Sequence, residues 1–117
     1  QLMSNADIAR QYIDVALGSA IFLPSSIAKK SAGAQSALKA FVEAAKIARN
    51  MLTDENAGSV VKALRTGTAQ QLLNGVLRWK KKLKPVAGGP SFVLEDKEGL
   101  VANSVIAALD TALEKIA

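Results

Sequence analysis

Seven cations, Lys62, Arg65, Arg78, Lys80, Lys81, Lys82 and Lys84, fall in a stretch from residue 56 to 94 that contains no Asp or Glu. Cations free of competing carboxylates can approach the phosphates of a polyanion, and an aromatic among them, here Trp79, can stack on an exposed base. The charge is zoned along the chain. Residues 1–55 hold six basic and five acidic side chains, and residues 95–117 hold two basic and five acidic, which leaves a net +5. A second reading needs no ligand. Basic residues in the last turn of a helix complement its macrodipole, contributing about 0.3–1 kcal/mol each. Trp79 lies on the same stripe as Leu72, Val76 and Leu83 and reads as a core anchor rather than a stacking platform.

Other chemistries find little support. The chain has no Cys and no His, which removes thiolate nucleophiles, Cys-ligated metals and the commonest general base. Ser25, Ser26 and Ser36 have only Lys29 or Lys30 as conceivable bases, a pairing that arises by chance in basic chains. Glu95, Asp96 and Glu98 lack the spacing of a calcium loop and suit a helix N-terminus without any metal. Gly88-Gly89-Pro90-Ser91 lacks the Gly-Lys-Ser/Thr closure of a phosphate-binding loop. A helix-turn-helix pivoting on Gly75 would put Gln71 where a small residue belongs and Lys81 where an apolar one belongs, so that motif is set aside. The expectation is a non-enzymatic protein with no catalytic residue, no cofactor and no metal.

The least polar run, Val15 to Leu23, is nine residues long, short of the roughly 18 a spanning helix needs. A basic amphipathic surface helix over residues 72–84 is a weaker reading, because Lys80 and Lys84 interrupt its apolar face; peripheral membrane binding is therefore disfavoured. The opening residues lack the basic start of a secretory signal. Met3 reads as the initiator, with Gln1 and Leu2 added ahead of it, and the default location is the cytoplasm.

These residues must be positioned by helices. Half the chain is apolar, Ala supplies 21 residues and aromatics only 4%, a composition for closely packed helices. Pro and Gly leave five periodic segments. The first runs from Asp7 to Leu23, capped by Ser4 or Asn5 and closed by Pro24. The second runs from Ser25 or Ser26 to Leu52, with a possible break at Gly33. A third starts after Thr53-Asp54-Glu55-Asn56 and ends at Gly67. A fourth opens on a capping box of Thr68 and Gln71 and ends at Pro85. Phe92-Val93-Leu94 is expected to pack as an apolar plug, because a lone short strand has no evident partner. The fifth helix runs from Asp96 to the end, with Val105, Ile106, Leu109 and Leu113 inward and Asp110 and Glu114 opposite.

The fold expected is all-α, a compact array of four to six helices in a single domain spanning residues 1–117. In the first two segments the apolar arc is wider than one face, with Ala48, Met51 and Ile47 extending the stripe of Leu38, Phe41, Val42 and Ala45. Surplus apolar surface points to a homo-oligomer. The function expected is an oligomeric protein that holds a polyanion, foremost nucleic acid, by its backbone through the zone 62–84. The alternative is an assembly or protein-interaction module whose basic zone pairs with an acidic partner surface.

Overall fold

The computed structural model describes residues 3–27, 32–75, 83–84, 93–94 and 99–117, and side chains within 3–21, 36–71 and 104–117. The chain is all-α, with four helices among the described residues: α1 (Asn5–Ile27), α2 (Ala32–Asn50), α3 (Ala57–Gly75) and α4 (Gly99–Lys115). Between α3 and α4, β1 (Leu83–Lys84) and β2 (Val93–Leu94) pair antiparallel, Leu83 opposite Leu94 and Lys84 opposite Val93.

The helix ends follow from local hydrogen bonding. Ser4 Oγ accepts the Asp7 N–H at 3.2 Å, capping α1 as its sequence position suggests. Asn5, the other capping candidate, instead holds the far end of the chain: its Oδ1 accepts the Ala117 N–H at 3.2 Å and its amide donates to the Ala117 carbonyl at 3.4 Å. Between α2 and α3, Thr53 and Asn56 form a reciprocal cap. Asn56 Oδ1 accepts the Thr53 N–H at 2.8 Å and Thr53 Oγ1 accepts the Asn56 N–H at 3.1 Å. In the same turn Asp54 Oδ1 accepts the Ala6 N–H at 2.9 Å, so one short connection satisfies orphan donors of two helices.

Two expected helix breaks and one expected plug are corrected. Pro24 does not close α1, which continues to Ile27; proline removes a single backbone donor, and the turn already formed before it supplies a helical frame for a few more residues. Residues 25–27 therefore belong to α1, not to the second helix. Gly67 does not end a helix either. Ala57, Val61, Leu64, Thr68 and Ala69 make one buried stripe across it, and that packing outweighs the roughly 1 kcal/mol that glycine costs inside a helix. Thr68 is consequently mid-helix and only 4% exposed, so Thr68 and Gln71 are not a capping box. The expected plug is half of a strand pair: Val93-Leu94 finds its partner in Leu83-Lys84, which the periodicity had assigned to a helix.

The core is built for close approach. Ala9, Ile13, Ala16 and Ala20 form the buried stripe of α1, and Val105, Ile106, Ala108, Leu109 and Ala112 that of α4. These two helices share the most extensive interface. Phe41 and Leu38 from α2 and Val61 from α3 complete the core. Small residues at spacings of three and four let helix backbones approach closely, and the interior has no slack for added volume. Enlarging the fully buried Ala16 to leucine is therefore expected to destabilise the fold by about 1–3 kcal/mol through overpacking, read from urea unfolding followed by circular dichroism.

Candidate functional site

Of the seven cations singled out in the sequence, the structure describes the side chains of two. Lys62 is exposed on α3. Arg65, one turn further along, turns toward α4, where its Nε donates to Asp110 Oδ1 at 3.0 Å. The two side chains are only 17% and 27% exposed. This corrects two expectations: Asp110 does not face away from the core, and the charge of Arg65 is committed inside the chain instead of standing free. Lys84 lies in β1, so the helical wheel that placed it on an apolar helix face does not apply. Arg78, Trp79, Lys80, Lys81 and Lys82 lie outside the described residues.

A second arginine is similarly engaged. Arg49 clamps Asp14 with two hydrogen bonds, Nε to Oδ1 at 2.6 Å and a terminal guanidinium nitrogen to Oδ2 at 3.1 Å, joining α2 to α1. The hydrogen bond to Asp14 and then its charge hold the Arg49 pKa above the ordinary guanidinium value, with desolvation opposing. Any stability from a raised basic pKa is complete below the unfolded-state value and is lost only as pH climbs past the folded one. On the arginine side, then, this clamp is indifferent to pH until strongly alkaline conditions. Among the described residues no group of three or more Asp or Glu converges as a metal site, and no helix is long and apolar enough to cross a membrane.

A half-open groove of about 530 Å³ lies between α2 and α3. One wall carries Ala37, Phe41, Ala44 and Ala48 of α2 and Met51 just past its end, alternating four and three residues apart as in a coiled-coil seam. The α3 wall is Asn56, Val60, Ala63, Gly67 and Gln71, again at helical spacing. Among the described residues, none that lines the groove is ionisable. Ile47 and Met51 stand at one end, 63% and 65% exposed. The α2 wall coincides with the extension of the apolar stripe that the sequence marks with Ala48, Met51 and Ile47. The α3 wall was missed, because reading a helix end at Gly67 cut in two a face that is continuous from Val60 to Gln71. The available signal was the small pair Ala63 and Gly67, four residues apart beside Val60.

No protein-family model matches the chain, and neither the curated proteins nor the solved structures contain a match to it.

Asp110 Oδ2 is buried with no hydrogen-bond partner, so the Arg65 pair is only half satisfied. A buried ion pair with incomplete hydrogen bonding gives little net stabilisation, although removing one partner strands the other. Asp110→Leu alone is expected to cost about 1–3 kcal/mol. The double variant Arg65→Met with Asp110→Leu is expected to return to within about 1 kcal/mol of the parent, a non-additivity measured by a double-mutant cycle in urea.

Proposed function

We propose that this protein is a non-enzymatic helical assembly module, folded as one unit, that docks an apolar helix face in the groove between α2 and α3. The observation that carries this reading is that the described lining of that groove holds no charge, with Ile47 and Met51 left open to solvent beside it. Burying a large aliphatic side chain yields about 1.5–3 kcal/mol, so exposing two beside a ready concavity favours an occupant. The alternating four-and-three spacing on α2 suits an amphipathic helix with anchors at i, i+3, i+4 and i+7. A chain without Cys is indifferent to the redox compartment, and the cytoplasm is its default setting.

The test is a titration with a fluorescently labelled amphipathic peptide carrying leucine at that spacing, followed by anisotropy. Saturable binding is expected, weakened about tenfold or more by Ala63→Glu, which puts a carboxylate into the exposed α3 wall. Binding that is unchanged in that variant, or absent from a protein that is monomeric, removes the proposal.

A second reading is supported by the carboxylate-free stretch 56–94: the same protein holds a polyanion, foremost nucleic acid, through Lys62, Arg78, Lys80, Lys81, Lys82 and Lys84. With Arg65 tied to Asp110, about five phosphate contacts give a log–log salt slope near −4 to −5 on duplex DNA. Arg65→Gln should leave that slope unaltered, whereas Lys62→Gln should reduce its magnitude by about one. A flat salt response in a filter-binding titration eliminates this reading.

A further inference from the structure

We propose that the occupant of the α2–α3 groove is a second copy of this chain, related by a twofold axis that turns one copy end for end. The inference rests on reading the groove as a docking face and specifies what docks there. Three observations converge on it.

The first is charge. Among the described residues the groove lining has no ionisable side chain, whereas the other described faces do. The hollow between α1 and α2 is bordered by Lys39 and Glu43, α1 presents Asp7, Arg10 and Asp14, and the α3–α4 seam holds Arg65 and Asp110. A head-to-tail contact would press at least one of those charges against a wall that cannot answer it. Among the described faces, the electrostatic match to the groove is the groove itself, which is the condition for an isologous contact.

The second is shape. Large side chains, Ile47 and Met51, stand at one end of the groove, and at the other the small Ala37, Ala40 and Gly67 lie beside Gln71. Turning a second copy end for end sets the bulky end of each over the end of its mate that Ala37, Ala40 and Gly67 leave open. In that register residue 51 faces residue 37, residue 47 faces residue 41, and residue 44 lies against its own counterpart on the axis.

The third is Gly67. A Cβ built there would meet nothing within 4 Å, so among the described residues no neighbour excludes a side chain, yet glycine inside a helix weakens it relative to alanine. Gly58 differs, since its Cβ would touch Ile116 at 3.7 Å. Gly18 is open as well but lines neither described hollow. At Gly67 the missing side chain lies on the groove wall, where it leaves room for another helix to come close.

The experiment is sedimentation equilibrium on the full chain and on variants of Ala44, an exposed alanine whose replacement leaves the core untouched. The parent should be a dimer. Ala44→Glu and Ala44→Lys should each run as monomers with unchanged helical circular dichroism, since like charges would meet across the axis. An equimolar mixture of the two should recover the dimer. In the monomeric Ala44→Glu background, Gly67→Ala should raise the thermal midpoint, and in the parent background it should weaken dimerisation about tenfold. A parent that stays monomeric while still binding the amphipathic peptide overturns the second-copy assignment and leaves the docking face standing. A parent that is monomeric and binds no peptide overturns both. A dimer that persists in both Ala44 variants, or a mixture that fails to reassociate, also overturns the assignment.

Discussion

Close approach between helix backbones, enforced by alanine, is the constraint on which the other features of this structure depend. Nine of the seventeen buried apolar residues are alanine, so the interior is stabilised by proximity more than by the volume of individual side chains. An alanine offers little apolar area of its own; its value is that it lets neighbouring helices share many short contacts. That choice has a cost at the surface. The aliphatic residues that a looser core would have accepted, Val15, Ile21, Ile47 and Met51, stand half or more exposed. The apolar surface left on α1 and α2 thus follows from how tightly the alanine stripes pack.

Tight packing also decides where charge can go. Arg49 and Asp14 tie α2 to α1, and Arg65 and Asp110 tie α3 to α4. The two clamps differ in setting. The first is open to water and doubly hydrogen-bonded, so it orients two helices with little desolvation. The second is largely withdrawn from water, uses one carboxylate oxygen and leaves the other unpartnered. Such a pair contributes more to the register of α3 against α4 than to net stability, because each charge excludes any arrangement in which it would be left alone. One cation from the basic zone is thereby taken up by the acidic end of the chain, and the same pairing between chains was the alternative use foreseen for those charges.

The sequence made the helices legible where periodicity and capping agreed, and misled where a single residue was given priority over the stripe. Thr53 to Asn56 announced the start of α3 because side-chain caps are local and survive any tertiary context. Gly67 and Pro24 were read as stops because each weakens a helix taken alone. Yet Val61, Leu64, Thr68 and Ala69 pack as one surface across Gly67, and tertiary burial exceeds a local penalty of about 1 kcal/mol. The β1–β2 pair was illegible for a different reason. Two residues carry no periodicity, and the partner of Val93-Leu94 lay inside a segment already claimed for a helix. The α2 wall of the groove was visible as an apolar arc too wide for one neighbour. Its α3 wall was hidden by the false helix end, and Asp110 was misplaced because a wheel drawn for α4 alone cannot register an arginine on α3.

With α3 restored as one helix, its faces divide the work of the molecule. Val61, Leu64, Thr68 and Ala69 face the core, Arg65 reaches α4, and Val60, Ala63, Gly67 and Gln71 form a groove wall, while Lys62 lies outside that wall. A helix repeats every 3.6 residues, so these sets fall on different bearings and a change in one need not disturb another. Leu64 and Thr68, which face the core and also line the groove, are the exceptions: core packing and groove shape are coupled there, and a partner's fit would register changes in the interior. Lys62 is free of that coupling. An occupant of the groove would leave Lys62 in solvent, so holding a helix and attracting an anion are physically compatible uses of the same helix.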